Sequence, residues 1–324
     1  MKRLVLCLVT MFGSVNGFTW GFFGHKMVNR LAVFTLPEKL LLFYKTNIEF
    51  ITDHSVDPDK RRYSVPEEAC RHYVDLDHYE IVAPIDTVPK YWKDAVAKYT
   101  EDTLNAYGIV PWHINNMKYR LTEAFKEKDV DKILHASADI GHYIADAHVP
   151  LHATENYNGQ LTGQTGIHGF WESRLPELFS ENYDFFVGRA FYVNDVLGLA
   201  WKASEGSFAA KDSVLDFERK LNATFPSDQK YTLEQKGQTQ VKIYSKEYSR
   251  AYHQLLGNQV ERRMRASILA VGCVWYTCWV DAGQPDLTSA KSKKMSAEDR
   301  KKAIVEEQKL LEERKMIGRS EGGN

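Results

Sequence analysis

Cysteine is scarce in this chain. There are four in 324 residues, and no two of them have the CxxC spacing of a structural zinc site. Cys7 lies in the apolar N-terminal segment, so only Cys70, Cys273 and Cys278 belong to the body of the protein. Three cysteines cannot all pair within one chain. A fold that depends on a disulfide framework is therefore excluded.

The chain also lacks an excess of either charge, with 42 Lys and Arg residues against 43 Asp and Glu residues. A nearly neutral protein has no bulk field that would draw it onto nucleic acid or an anionic membrane. A basic scaffold protein is thus excluded, although an active site can still bind phosphate locally through metal ions. The 44% of apolar residues can bury a core, which excludes disorder for most of the chain.

Long hydrophobic runs are missing as well. The longest, Ile268 to Val280, has thirteen residues, whereas a helix needs about 20 to cross a bilayer. This run therefore predicts a buried core helix and no stable membrane anchor.

The N-terminal segment has the features of a signal peptide. Lys2 and Arg3 precede an apolar stretch from Leu4 to Phe12, and small residues follow from Gly13 to Gly17. We expect residues 1–19 to be a signal peptide, cleaved after residue 17 or residue 19, and the protein to be secreted or periplasmic.

Alternating strand patterns are rare and internal repeats are absent from the sequence, whereas helical spacing recurs. The strongest helix runs from Val130 to His148, where isoleucines recur at i, i+7 and i+11. The sequence predicts an all-α protein with a single compact multi-helix domain at residues 20–284 and a charged C-terminal tail at 285–324. It also predicts an ordered loop without a clear period over 52–79 and two helices within 184–221.

The histidines carry the clearest functional signal. His142 and Asp146 are four residues apart on the strongest helix, so both project from one face. His168 and Glu172 repeat that spacing, and His152 lies between the two pairs. Imidazole nitrogen combined with carboxylate oxygen is a ligand set that Zn²⁺ prefers. The sequence therefore predicts a metal site within 31 residues of chain.

Three neighbouring side chains extend this pattern without matching a ligand position. His135 and Asp139 continue the face of His142 toward the N-terminus of the same helix. We expect them to support the ligands from behind or to lie at the surface. His148 is expected to pack or to support the site.

Several segments resemble one known superfamily. They are GHYIADAHVPLHATEN and GIHGFWESRL around the histidine pairs, WGFFGH near the N-terminus, and RHYVD at residues 71–75. Together they resemble the zinc-dependent phospholipase C and P1/S1 nuclease superfamily, in the right order from Trp20 to Glu172. The resemblance implies a helical fold and hydrolysis of phosphodiester bonds.

The resemblance also implies three zinc ions. One would be held by Asp57, His72, His142 and Asp146, and a second by His152, His168 and Glu172. The third would use His25, the shared carboxylate of Asp146, and the free amine of Trp20. Close zinc ions lower the pKa of a bridging water toward about 7. Asp57 is expected to be the catalytic carboxylate that orients this water or accepts its proton.

Alternatives remain at several of these positions. Asp57 is preferred for its spacing to His72, but Asp59 is an alternative ligand, and His78 competes with His72. The third ion requires Trp20 to be the mature N-terminus, because an amide nitrogen does not readily bind zinc. Cleavage after residue 17 would leave two ions.

The substrate is open between two classes. Glu172 in the last ligand position resembles the phospholipase branch, whereas the short spacing from Trp20 to His25 resembles the nuclease branch. Tyr73 and Asp75 occupy positions that bind a base in the nucleases, and Tyr157 could line the same cleft. We therefore expect a phospholipase C-like hydrolase, with a single-strand nuclease or 3'-nucleotidase as the alternative.

The substrate partner is thus a phospholipid or single-stranded nucleic acid. A rival of another class is a non-catalytic binding module that zinc stabilises. Nothing in the sequence specifies an oligomeric state.

Overall fold

The computed structural model describes residues 21–80, 88–236 and 239–287. The predicted signal peptide, Trp20 and the tail beyond residue 287 lie outside the described residues. Within them the prediction of an all-α fold is confirmed, since one small hairpin is the only sheet.

The described residues form a series of α-helices along the chain. They are α1 (Gly21–Ala32), α2 (Glu38–Thr46), α3 (Ile48–Asp53), α4 (Asp57–Arg61), α5 (Leu76–Glu80), α6 (Trp92–Tyr99), α7 (Glu101–Tyr107), α8 (Val110–Glu127), α9 (Val130–Asp146), α10 (Ile167–Gly169), α11 (Leu175–Phe179), α12 (Val196–Thr224), α13 (Lys246–Leu256) and α14 (Gln259–Asp281). Strands β1 (Tyr231–Lys236) and β2 (Thr239–Tyr244) form the antiparallel hairpin.

Helix α9 lies at the centre and packs against α1, α8 and α14. The apolar run of α14 is buried there, as predicted, and the Trp275 indole donates a hydrogen bond to the Ser137 carbonyl at 3.0 Å. Tyr44 stacks on Trp275 with ring centroids 4.7 Å apart. Helix α12 covers α8 and the short 3₁₀ turn Pro150–Ala153. None of the helices in the described part combines the length and apolarity that a membrane span requires.

Two regions differ from the predictions. The segment at 52–79 is not a loop throughout, because 3₁₀ turns at His54–Val56 and Pro66–Arg71 alternate there with α4 and α5. The segment at 184–221 contains one long helix, α12, because the chain from 184 to 195 is not helical. Short helical turns do not produce a sustained 3.6-residue apolar period, and neither does the non-helical run. The apolar period of the sequence therefore could not distinguish short turns from a loop or place the start of α12.

Candidate metal centre

The strongest helix presents two side chains to the centre from its last turn. His142 and Asp146 lie on α9 four residues apart and are fully buried. The helix ends at Asp146, and Val149 further on has an extended backbone because the residue before a proline avoids the helical conformation. The turn that follows presents His152 to the same buried space.

Asp59, His72, His142 and Asp146 form what we call the four-residue cluster, in which four ligand atoms converge. His72 Nδ1, His142 Nε2 and Asp146 Oδ2 are 2.9–3.2 Å from one another. Asp59 Oδ1 lies 3.8 Å from His72 Nδ1 and 3.7 Å from His142 Nε2. The ligands of a tetrahedral metal with bonds of 2.0–2.1 Å are about 3.3–3.4 Å apart. The four-residue cluster therefore has the size of a metal coordination shell.

The structure places the two candidate aspartates in different surroundings. Asp59, and not Asp57, lies with His25 and His142, whereas Asp57 lies with His54 and His135. The two aspartates are two residues apart in α4, so they point about 200° apart around its axis. One carboxylate therefore faces α1 and α9 at the centre, and the other faces the outer side of α9. His78 is also outside the cluster, stacked on Tyr107.

His152, His168 and Glu172 form a second group, the three-residue cluster. Their ligand atoms lie within 4.8 Å of one another, with His168 Nε2 3.0 Å and His152 Nε2 3.6 Å from Glu172 Oε2. Glu172 lies in a π-helical turn, Phe170–Arg174, between α10 and α11. Such wide turns are frequent at functional sites because they redirect side chains that an α-helix would space differently.

Asp146 joins the two clusters. Its Oδ2 belongs to the four-residue cluster, while its Oδ1 lies 3.4 Å from His25 Nε2 and 3.7 Å from His152 Nε2. His25 projects from α1 and stacks on His142 with ring centroids 3.8 Å apart. The same end of α1 is tied to the π turn, because the Gly21 amide donates to Ser173 Oγ at 2.8 Å. The shared carboxylate makes the two clusters one centre.

Backbone carbonyls fix the orientation of three histidine rings. Nδ1 of His142 donates to the Ser55 carbonyl at 2.8 Å, that of His152 to the His72 carbonyl at 2.8 Å, and that of His168 to the Tyr157 carbonyl at 2.9 Å. A carbonyl only accepts, so each Nδ1 carries a proton. In the neutral ring Nε2 then keeps its lone pair, which is the form that binds metals.

His72 differs because it presents Nδ1 to the centre. Its Nε2 lies 3.7 Å from the carboxylate of Glu68, which is fully buried. Glu68 also accepts hydrogen bonds from Tyr143 and, at 2.6 Å, from Arg71. Sequence reasoning missed Glu68, although it precedes His72 by four residues, the spacing of the other two pairs.

Arg61 connects this network to the predicted supporting residue on α9. It donates to Asp139 at 2.9 Å and to the Tyr143 hydroxyl at 3.2 Å. Asp139 thus supports the centre through Arg61. His148, which was expected to pack or to support the site, is buried and donates to the Ile144 carbonyl at 2.7 Å.

The centre concentrates negative charge in a buried space. Burial opposes the charged form of His142, yet Asp146 and Asp59 outweigh it and raise the pKa of the imidazole to about 9. Burial likewise raises the pKa of Asp146, but the neighbouring His142 and His152 hold it well below its usual range. Three carboxylates among the ligands create a strong demand for positive charge.

One carboxylate oxygen of the four-residue cluster, Asp59 Oδ2, is buried without a hydrogen-bond partner among the described residues. An unsatisfied buried polar atom is costly, so its presence beside two histidines needs a physical reason. A set of nitrogen and oxygen donors that converges on one point fits a metal ion, and the residues present fit that group.

The three predicted substrate-binding residues lie in different surroundings. Tyr73 follows His72, is buried, and donates from its hydroxyl to the Ala106 carbonyl at 3.4 Å. Asp75 is buried near Tyr79, whose pKa is raised mainly by burial and also by this carboxylate. Tyr157 is half-buried and supplies the carbonyl that orients His168. Their role in binding substrate stays a prediction.

Comparison with known proteins adds no family assignment. No protein-family model matches this chain, and a search of the curated proteins found no match. The functional interpretation therefore depends on the residues of the centre and on their arrangement.

Proposed function

We propose that this chain is a zinc-dependent phosphodiester hydrolase. The observation that carries the proposal is the four-residue cluster. The ligand atoms of His72, His142 and Asp146 lie 2.9–3.2 Å from one another, and Asp59 Oδ1 lies 3.7–3.8 Å from the two histidine nitrogens. Their mixture of imidazole and carboxylate groups favours zinc over calcium or magnesium, which prefer oxygen alone.

The two clusters differ in the number of ligands that the protein supplies. The four-residue cluster supplies enough protein ligands to fill a tetrahedral shell, whereas the three-residue cluster leaves a fourth position open. An open position is what a water molecule or a phosphate oxygen requires. Zinc ions held here would supply Lewis acidity and a bound water whose pKa is lowered to about 7.

The protein residues position the ions and balance their charge. Asp146 lies within 4 Å of histidines from both clusters, so it would keep the ions close together. We assign to Asp59 the role that the resemblance implied for Asp57. Asp59 is the aspartate of α4 whose carboxylate lies near His142. We assign to Asp59 the orientation of the water, and Asp57 is not part of this role. His25 with the amine of Trp20 is proposed for a third ion.

The substrate class follows from the charge of the centre. A phosphodiester carries one negative charge. It would be attracted to the centre because the positive charge of the zinc ions would exceed the negative charge of the three carboxylates. We favour a phospholipase C-like activity for this chain, which we expect to be exported. Glu172 is fully buried and occupies the last ligand position, where a glutamate resembles the phospholipase branch. Single-stranded nucleic acid is the second candidate, supported by Tyr73 and Asp75 next to His72.

The test is an assay of the zinc-loaded full chain. Phosphatidylcholine vesicles and a chromogenic phosphocholine ester are compared with single-stranded DNA and RNA. Asp146→Asn, which keeps the shape of the side chain but loses its charge, should lower turnover at least ~1,000-fold, in line with the loss of a metal-held catalytic group.

Asp131→Asn, also on α9 but away from both clusters, should keep the turnover of the unchanged protein. Metal bound at the centre without turnover of any of these substrates would overturn the hydrolase and favour a zinc-stabilised binding module. Full activity in Asp146→Asn would also contradict the proposal.

A further inference from the structure

A separate group of potential ligands lies on the outer side of α9. His54, Asp57 and His135, which we call the surface triad, place one ligand atom each within 4.8 Å of one another. Asp57 Oδ2 is 2.5 Å from His54 Nδ1, and the two imidazole rings have centroids 5.2 Å apart. Two imidazoles with one carboxylate match the donor set of the three-residue cluster.

Three different elements hold the surface triad in place. His54 lies in the 3₁₀ turn His54–Val56, Asp57 begins α4, and His135 projects from α9. Phe50 fixes both rings, since it stacks on His54 at 3.9 Å and meets His135 edge to face at 4.8 Å. The donors are thus oriented by packing, which lowers the entropy lost when they bind a ligand.

The charge around the triad also favours a cation. The second oxygen of Asp57 accepts a hydrogen bond from Lys60 at 3.2 Å, which leaves Oδ2 directed at His54. Asp131 and Asp139 both act on His135 with their negative charge. Arg61 pairs with Asp139 and Lys60 pairs with Asp57, so a metal ion would meet Oδ2 of Asp57 and the more distant charge of Asp131.

We propose that the surface triad is an additional binding site for an exchangeable transition-metal ion of the Zn²⁺ or Co²⁺ kind. His54 is 30% and Asp57 23% exposed, and His135 is exposed, so an ion can reach all three from solvent. Three protein ligands leave at least one coordination position to water. Weaker binding than at the buried three-residue cluster follows from the exposure of the triad to solvent.

The site is distinct from the buried centre. His135 precedes His142 by seven residues on α9, which corresponds to about 10 Å along the helix axis. A single ion cannot bridge that distance, because its bonds to nitrogen and oxygen are about 2 Å long. The proposal therefore does not depend on the activity of the buried centre.

The experiment is a titration of the full chain with Zn²⁺ alone. The protein is first washed with a weak chelator, its remaining metal is counted, and heat release is then recorded on addition of Zn²⁺. We expect one further equivalent per chain in the unchanged protein. His135→Ala should weaken the binding of that equivalent at least ~10-fold, as expected when a metal site loses a ligand.

His253→Ala is the matched control, because it removes a partly exposed histidine outside every cluster in the described residues. It should keep the further equivalent. Titration with Co²⁺ gives a second readout, since nitrogen and oxygen ligands in a four- or five-coordinate shell produce visible absorption bands that are stronger than the weak bands of hexaaqua Co²⁺.

Two results would overturn the proposal. One is the absence of any further equivalent in the unchanged protein, and the other is equal binding in His135→Ala. The count of metal retained after the wash reports on the buried centre separately. A failure of the hydrolase proposal therefore remains distinguishable from a failure here.

Discussion

At the scale of single residues, the two aspartates of α4 separate two environments. Asp59 is 4% exposed and faces His142, whereas Asp57 faces His54. A pair of matched variants tests this difference. Asp59→Asn removes a charged ligand from the buried centre, and Asp57→Asn does not.

We therefore expect Asp59→Asn to lose at least one tightly held metal ion per chain and Asp57→Asn to retain all of them. Elemental analysis after a chelator wash measures the difference. Loss of tightly held metal in Asp57→Asn alone would restore the ligand that the sequence favoured.

Glu68 is the residue that we assign to positioning His72. Its carboxylate is held by Arg71 and Tyr143 and lies 3.7 Å from His72 Nε2. Glu68→Gln keeps the size of the side chain but removes the charge that orients the ring. Outer partners of metal-bound histidines typically contribute 10–100-fold to affinity, so we expect a loss of about that size in zinc affinity.

Competition with a chromophoric chelator measures this affinity without relying on activity. Glu67→Gln changes the exposed neighbour of Glu68 and serves as the control. Equal zinc affinities in the two variants would show that Glu68 does not position His72.

At the scale of secondary-structure elements, the contact of α1 with α9 sets the place of His25. Gly141 lies at this contact, and a Cβ atom there would come within 2.1 Å of Asn29 Oδ1. Asn29 is fully buried and donates to the Ala138 carbonyl at 3.0 Å, so it cannot move aside without breaking that hydrogen bond.

Gly141→Ala should therefore lower the free energy of unfolding by about 1–3 kcal/mol, the usual cost of overpacking. Gly169→Ala is the counterpart, because its helical backbone leaves open space around a Cβ atom. It should leave stability unchanged or raise it by up to about 1 kcal/mol. Denaturant unfolding measures the free energy of unfolding of both variants. Equal values for the two variants would contradict the close contact at Gly141.

The helices that carry the site were largely predictable, and the connections were not. The period of apolar residues in α9 identified the helix, and the i, i+4 spacing identified the pairs on it. The orientation of α4 was not predictable, because a five-residue helix has no apolar period that fixes which side faces inward. The hairpin of β1 and β2 was not predicted for a similar reason. Its described side chains are exposed or half-buried, so no alternation of buried apolar residues marks the strands.

At the scale of the whole molecule, the centre connects parts of the chain that are distant in sequence. His25 on α1, Asp59 on α4, His142 on α9 and Glu172 in the π turn meet there. Zinc bound by the folded chain alone therefore stabilises the fold as a whole. A site filled at a free zinc concentration of ~1,000 times its Kd contributes about 4 kcal/mol.

Removal of zinc with a strong chelator should then lower the melting temperature by about 10 °C, since 1 kcal/mol corresponds to ~2–4 °C in a protein of this size. Re-addition of zinc should restore it. Thermal unfolding followed by circular dichroism measures both, and an unchanged melting temperature after complete metal removal would contradict a centre that joins these elements.

The fold class and most members of the two clusters thus follow from the sequence, because spacing along α9 determines which side chains share a face. The way in which Asp146 joins two clusters required the three-dimensional structure. His25, His72 and His152 approach Asp146 from elements that no local pattern relates to α9. The same holds for Glu68, whose role depends on Tyr143 and Arg71.

The zinc content of the purified full chain after a weak-chelator wash tests the metal centre most directly. We expect at least two zinc ions per chain, one for each of the two clusters, and three if the amine of Trp20 completes a site with His25. Less than one ion per chain would contradict a metal centre built from these residues.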